Sequence, residues 1–516
     1  MGTELARVAA EAAAKGDRGG VVRRVRAWLS AMLSPAPAEA LSYYGATKSR
    51  KAANWTPGNK SANSEIATSL PDLRARSRYL LRNNAYAVRA VESILGNVIG
   101  DGLWPQSCTG DEKVDDAVDA LFRRWGAECD ANGTVQWPAM ARLVLRAALT
   151  DGDVIIRRRR RFFSDGLAVP MQVQVLEADH LNTTVYESGR NPVVQGVELD
   201  AIDRRVAYHL YRVHPGESVN FGINLSHRLD SVRVPADEIA HMFRQDRPGQ
   251  VRGVPLLSPV IMAMQDIDDF IDNELERKKM ESCLVGFVYN NEANYQSTGQ
   301  DGVAAFPVED SDGNLVETFE RGLIAMVRGD KTIDIHEPKA VPNFEEWMRV
   351  MLRQAATGLG VPYEVMTGDL SGVNYSSIRT GLLEYRRSLR TMRNTVVIPM
   401  FCARVWSWFV EAAEMAGALP PRADGYPVKW SQPRFESIDP VKDANAAKLR
   451  LRLGLTSLPQ EIADDGGDPD DVLREQALHA EKAKAAGLLL DSLPADDPNR
   501  VNGAATELPL DDAAND

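Results

Sequence analysis

The sequence predicts an α+β fold in which long helices flank a region of short strands. Three observations predict it. Apolar residues recur at spacings of three and four in several long segments, the period of a helix buried on one side. Between residues 152 and 250 that period gives way to short runs separated by Asp-Gly and Pro-Gly dipeptides, the pattern of strands and turns. Strands and helices come in blocks and do not alternate, so the layout is not a βαβ array. The chain has 516 residues, 44% hydrophobic and 26% charged. That is an ordinary globular balance, and the length gives room for about two to four domains.

Residues 1–71 read as a flexible basic arm. Within it, VVRRVRAWLSAML (21–33) has the pattern of a short basic amphipathic helix. Residues 34–70 are rich in Ser, Ala, Pro, Asn and Gly, the composition of a linker. The first firm helix starts near Asp72 and carries Val88, Val91, Ile94, Leu95 and Val98 at helical spacing. Asn83-Asn84 breaks it, and Gly100 with Gly102 ends it. Further helices are expected over 113–125 and 137–148, the second opened by Trp137-Pro138. Strands are expected over 153–163, 171–176, 193–199, 207–214 and 231–235.

A long helix is expected over 255–288, opened by Ser258-Pro259. Ile261, Met264, Ile267, Ile271 and Leu275 form its apolar stripe. Asp266, Asp268, Asp269, Asp272, Glu274 and Glu276 take other faces. A small β-rich insert with Gly-Asp and Asp-Gly turns comes next. Asn343-Phe344-Glu345-Glu346 is a capping box that opens a helix to Leu359, stopped by Gly360 and Pro362. Then come a Gly-rich loop, VPYEVMTGDLSGVNYSS (361–377), and a very long helical run over 377–416 that Pro399 would kink. Two more helices, 441–453 and 470–486, precede an acidic tail over 491–516 with the composition of a disordered segment.

Net charge is −12, unevenly spread. Residues 1–80 carry 13 Lys and Arg against 6 Asp and Glu, whereas residues 457–516 carry 4 against 15. The two ends therefore suit different partners. The overall acidity argues against a protein that coats DNA through bulk basic charge. No membrane span is expected, because the nearest apolar run, 395–412, is interrupted by Pro399, Arg404 and Glu411. The first residues lack the apolar core of a secretory signal, which places the chain in a cytosol or in something assembled there. Cys108, Cys129, Cys283 and Cys402 are widely spaced with no CxxC pair. Small buried side chains are the expectation for them, not a disulfide framework or a thiolate zinc site.

No catalytic constellation is visible. The chain lacks a GxxxxGK(S/T) phosphate loop, and it lacks GxSxG, HExxH and GxGxxG. No two of its seven histidines sit four apart on a helix. No catalytic residue, cofactor or metal ligand is therefore assigned. The carboxylates Asp266, Asp269, Asp272 and Glu276 read first as a solvated face and second as a wall that repels a polyanion. Arg157 to Arg161 is a run of five arginines. In a strand, Arg157, Arg159 and Arg161 would share one face. Salt bridging across strands or between subunits is the favoured role for them, and nucleic-acid contact the alternative. Stacking aromatics nearby are limited to Phe162-Phe163, which weakens a single-strand binding platform.

Six stretches carry more. They are SRYLLRNNAYAVRAVESILGNVIGDGL (77–103), ALTDGDVIIRR (148–158), LEADHL (176–181), RQDRPGQVRGVPLLSPVI (244–261), GLGVPYEVMTGDLSGVNYSSIRTGLLEYRR (358–387) and DPVKDANAAKLRLRLGLTSLPQEIADDGGD (439–468). Over about residues 70–490 the chain resembles the lambda-type portal proteins of tailed bacteriophages, and the runs at 244–261 and 358–387 are the most specific. The resemblance implies the portal fold of wing, stem, clip and crown, assembled as a cyclic ring of about twelve copies at one capsid vertex. It implies a channel for double-stranded DNA in packaging and ejection. It also implies docking of the terminase large subunit and then of head-completion and tail proteins. Contact with the major capsid protein and scaffold is implied too, since the ring nucleates procapsid assembly. The location implied is the virion, with assembly in the host cytoplasm.

Mapped onto this sequence, the wing is 72–254, the stem helices 255–284 and 343–361, and the clip 285–342. The tunnel loop is 362–376, the long supporting helix with its return to the wing 377–438, and the crown 439–490. By resemblance, Asp369, Leu370, Ser371, Val373 and Asn374 approach the DNA. None of them is cationic, which suits loose contact, since each phosphate neutralised strengthens binding. An acidic face on the stem suits a low-friction bore for the same reason. Two rival readings stay open. One is a structural adaptor or baseplate component without a DNA channel; the other is a metal-dependent DNA-processing enzyme that uses the acidic cluster.

Overall fold

The computed structural model describes residues 57–217, 230–283, 287–289, 325–327, 344–372, 374–433, 435, 440–464 and 469–487. The chain divides into two units, Met1–Ser61 and Ala62–Asp516. The helix expected over 21–33, most of the arm and the acidic tail lie outside the described residues. The described residues of the second unit form helices and four small sheets.

Helix α1 (Ala62–Asn83) starts ten residues before the expected Asp72 and runs through Pro71. A proline inside a helix gives up one backbone bond. Burial of Ala62 and Leu70 on the N-terminal side of it keeps this turn helical. Asn84 divides α1 from α2 (Ala85–Val98), as its sequence predicts. Its Oδ1 accepts the Ala87 N–H at 2.8 Å, the bond of an N-cap. Ala87, Ala90, Val91, Ile94, Leu95 and Val98 form the buried face of α2.

Strand β1 (Pro105–Ser107), helix α3 (Glu112–Ala127) and helix α4 (Trp137–Asp151) come next. Phe122 and Trp125 of α3 and Trp137 of α4 are fully buried. They meet Phe401, Trp406 and Phe409, 264 to 287 positions further on, with ring centroids 5.0–5.6 Å apart. The main core is therefore shared by the two halves of the chain.

Strands β2 (Asp153–Arg160) and β3 (Met171–Glu177) form an antiparallel hairpin. The strand expected to reach 163 stops at Arg160, because Phe162 opens a tight turn closed by Gly166 at φ 74°. Strands β4 (Glu187–Ser188), β5 (Asn191–Val194), β6 (Val197–Leu199), β7 (Arg205–Tyr211) and β8 (Ser231–Pro235) form a five-stranded meander over its own small core. The single strand expected over 193–199 is two strands. Gln195 (φ 50°) and Gly196 (φ 86°) turn the chain back between them, as a two-residue hairpin requires. Strand β9 (Ile239–Phe243) was not anticipated; it pairs with the other edge of β2.

Helix α5 (Ile261–Cys283) begins six residues later than expected, because residues 256–260 form turns. The Ser258 hydroxyl donates to the Pro255 carbonyl within them. Ile261, Met264 and Ile267 of the expected stripe are buried, whereas Leu275 is 49% exposed and Glu274 is buried in its place. Of the insert, only β10 (Phe287–Tyr289) and β11 (Ala325–Val327) are described, paired in parallel. Helix α6 (Phe344–Leu359) lies antiparallel to α5. Phe270 meets Phe344 and Trp347, while Gly358 meets Val260 so closely that a Cβ would sit 2.4 Å from its Cγ1.

The Gly-rich loop opens as a short helix, α7 (Tyr363–Thr367), which the sequence reading missed. Helix α8 (Tyr375–Met392) leads into a π-helical segment, Arg393–Cys402, and then into α9 (Ala403–Met415). Pro399 falls inside the π segment, whose wider turns take up the bond that proline cannot make. By length and apolarity the run Ser377–Met415 is long enough to cross a membrane, contrary to the sequence expectation. Half of its apolar window is buried in the fold, where Val397, Phe401 and Phe409 pack into the aromatic core. Strand β12 (Val428–Trp430) closes on β1. Three helices, not two, complete the described chain: α10 (Pro440–Arg452), α11 (Leu458–Asp464) and α12 (Pro469–Ala485).

Candidate functional site

The segment expected to approach DNA projects between α7 and α8. Gly368 adopts φ 74° at the end of α7 and frees the chain to turn. Asp369 then organises the turn that leads to α8. Its carboxylate accepts the Ser371 N–H at 2.9 Å, the Ser371 hydroxyl at 2.5 Å and the Tyr363 hydroxyl at 2.9 Å. These bonds, the Ser371 hydroxyl first, hold its pKa down at about 2. Leu370 stands 63% exposed at the tip. Asn374 caps α8 by accepting the Ser377 N–H at 2.8 Å. Val373 lies outside the described residues. The tip itself is free of cations, as read from the sequence, but α6 brings Arg349 to 3.9 Å from Asp369.

Asp266, Asp269, Asp272 and Glu276 are all exposed on α5. Asp268 is partly buried and accepts the Asn84 amide at 2.8 Å. The arginine run behaves as a strand should. Arg158 is buried and pairs with Glu411 of α9 at 2.7 Å. Arg157 and Arg159 share the other face. Burial, then the Arg159 charge, lowers the pKa of Arg157, and burial lowers that of Arg159. Arg159 donates to Gln174 across the hairpin. Arg161 lies past the end of the strand and pairs with Asp165 at 3.0 Å. The run and the acidic face of α5 are on separate elements, neither of which contributes to the 369–374 tip.

Sequence reasoning missed a buried ionic centre. Asp153, 0% exposed, accepts from Arg74 at 2.5 Å, Arg252 at 2.5 Å and His241 at 3.0 Å. Burial alone would raise its pKa, yet Arg252, the His241 bond and Arg74 hold it well below the usual carboxylate range. Burial pushes the His241 pKa down despite that bond. Next to it, Arg78 grips Asp151 with two bonds of 2.7 Å and extends to Asp179 at 2.5 Å. Glu177, Asp179 and His214 bring ligand atoms within 4.8 Å of one another. Both carboxylates already accept from Arg78, which also pairs with Asp151, so the guanidinium offsets part of the trio's negative charge. Of the cysteines, Cys129 and Cys402 are buried, and burial raises their pKa, to about 12 for Cys129.

These pieces sit inside the matching stretches: Asp151 to Asp153 in 148–158, Arg252 in 244–261, and Asp369 to Asn374 in 358–387. A family model described as phage portal protein, lambda family, matches residues 48–393, more than half of the chain. The chain belongs to the lambda family of phage portal proteins. It is 27% identical over 460 residues to the probable portal protein of Halomonas phage phiHAP-1, covering 84% of this chain and 85% of that one. It is 21% identical over 483 residues to the portal protein of Escherichia phage N15, covering 84% and 88%. A solved neck of a gene transfer agent particle is similar at 15% identity and a TM-score of 0.37, covering 76% of this chain and 94% of that one. A likeness that loose carries no weight here.

A portal protein is a structural part of the phage particle, a connector between head and tail, and this family member takes that role and that location. The family signal explains what the sequence could and could not yield. The runs TDGDV and VRGVP were visible as matching words. That the aspartate of one grips the arginine of the other was not, because 99 positions separate Asp153 from Arg252.

Proposed function

We propose that copies of this portal protein close into a ring of about twelve at one capsid vertex and that the ring is the conduit for double-stranded DNA. In this reading the ring docks the terminase large subunit during packaging and head-completion and tail proteins afterwards. It also meets the major capsid protein and scaffold when the procapsid nucleates in the host cytoplasm. The wing, stem, clip and crown follow the boundaries drawn from the sequence, and the 369–374 tip is the part nearest DNA. The family match over residues 48–393 is the observation that carries the proposal. The geometry supports it on one point. The tip offers an exposed leucine, serine and asparagine with a carboxylate held ionised, and α5 presents an exposed acidic face. Such surfaces release no counterions from DNA, so they let it slide.

Native mass spectrometry with negative-stain microscopy tests the proposal. Twelve chains of 56.8 kDa give an assembly of about 680 kDa. A ring of that order with a hole wide enough for a duplex is the expected result. A closed assembly without a hole would remove the conduit and leave the adaptor reading. Magnesium-dependent cleavage of DNA by the purified protein would point to the enzyme instead.

A further inference from the structure

The β2–β3 hairpin ends in two aromatic side chains that no part of the described chain covers. Phe162 is 77% exposed and Phe163 71%. They do not sit on a loose loop. Asp165 accepts from Arg161 Nε at 3.0 Å and from the Phe162 N–H at 3.3 Å, and Gly166 closes the turn in the left-handed conformation. A phenyl ring left in water forgoes the gain of burying it. Two side by side on a shaped turn form a knob.

A matching hole lies between α1 and α5. It is a groove of about 440 Å³ lined mainly by Ala75, Tyr79, Leu80, Ile261 and Met262. Tyr79 is 49% and Met262 61% exposed on it. An apolar cavity of about 150 Å³ accepts a benzene, so this groove has space for both rings. The knob cannot reach the groove of its own copy. Arg74, next to Ala75 of the groove, binds Asp153 at the first residue of β2, whereas the knob follows Arg160, the last. Seven steps of about 3.3 Å along the strand put the two roughly 23 Å apart. A knob and its hole on different parts of one molecule make head-to-tail contacts, which close into rings when the rotation allows.

Charge points the same way. Around the hairpin, Arg157 to Arg161 outnumber Glu128, Asp165, Glu238 and Glu411 by one. Beside the groove, the exposed Asp72, Asp266 and Asp269 outnumber Arg76 and Arg82. Opposite potentials on two surfaces steer their encounter and fix their register. We infer that Phe162 and Phe163 of one copy enter the α1–α5 groove of the next copy, forming a head-to-tail contact of the assembly. The inference rests on the ring reading and names where the copies meet.

Two variants test it, with the wild-type assembly measured first by native mass spectrometry. Phe163→Cys combined with Met262→Cys should give, on mild oxidation, a ladder of disulfide-linked multimers that neither single variant gives. Phe162→Asp with Phe163→Asp alters only exposed side chains, so the monomer should keep its thermal midpoint. Its assembly midpoint concentration should rise at least about thirtyfold, the loss expected when a buried anchor is removed. Wild-type rings with no ladder from the cysteine pair, and an unmoved midpoint in the aspartate variant, would overturn the contact and leave the ring intact. A wild type that stays monomeric at every concentration, with no ladder, would overturn ring and contact together.

Discussion

Gly253 lies against Gly152 so closely that a Cβ on it would sit 1.9 Å from the Gly152 carbonyl oxygen. A Cβ on Gly152, whose φ is 94°, would sit 2.6 Å from the backbone of Val254. No side chain fits on either segment of this crossing. The approach brings the flanking residues together, so Arg252 reaches Asp153 at 2.5 Å. Gly253→Ala must push the two backbones apart and with them a buried ion pair. It should destabilise the fold by about 3 kcal/mol or more, read as a large fall in the thermal unfolding midpoint or as insoluble protein. An unchanged midpoint would show that the crossing can open freely.

His241 makes stability depend on pH. It is buried, bonded through Nε2 to Asp153 and packed by Tyr208 and Phe243, with Arg252 and Arg205 also facing it. Burial, then the two arginines, keep it neutral against the pull of Asp153. As pH falls through about 6.5 the unfolded chain takes up a proton here that the folded chain refuses. Stability is therefore full above that pH and falls below it. Asp153 acts in the same direction at lower pH, since its folded pKa lies below its unfolded one. His241→Gln can keep the donor to Asp153 but removes the titration. Its unfolding midpoint should fall less steeply than that of wild type between about pH 6.5 and 5; equal slopes would assign the acid sensitivity elsewhere.

Arg393 closes the C-terminus of α2. Its guanidinium donates to the carbonyls of Val98 at 2.8 Å and Asn97 at 2.6 Å and to Gln432 at 3.0 Å. A cation there complements the negative end of the helix. Burial, then the neighbouring Arg390, lowers its pKa to about 10, still well above neutrality. Arg393→Met keeps the bulk and leaves those carbonyls without their donor. A loss of about 2–4 kcal/mol is expected, measurable by urea unfolding. A loss below about 0.5 kcal/mol would mean that water replaces the arginine.

Leu370 tests the low-friction tip. Leu370→Lys adds one exposed cation per copy beside a carboxylate that is ionised above pH 2 or so. In an assembled ring it should tighten DNA binding. The slope of log affinity against log salt should steepen by about 0.9 for each phosphate newly contacted. A slope equal to that of wild type would place the tip away from the DNA.

Much of the helical layout was readable from periodicity. Val91, Ile94, Leu95 and Val98 lie on the buried face of α2 while Val88 is half-buried, Asn84 caps where a break was expected, and β8 spans the expected five residues. The errors have physical causes. The linker-like composition of residues 34–70 hid the first ten residues of α1, which packing of Ala62 and Leu70 holds helical. Pro399 looked like a kink, but a π segment absorbs it. Strands β1 and β12 have three residues each, too few to show a period, and they exist because each supplies the other's edge across more than 300 positions. At the candidate site, the absence of cations on the tip was readable. Arg349 was not, because it comes from another helix.

The sequence by itself determined most of the long helices, where many turns fall, and the family, since these rest on local spacing and on words a few residues long. Only the tertiary structure decided that Asp153 meets Arg74, Arg252 and His241, that two glycines cross in contact, and that Phe162 and Phe163 stand outside the fold. Burial and ion pairing depend on distance in space. Residues 79 to 99 positions apart leave no mark on the local pattern when they come within 3 Å of each other.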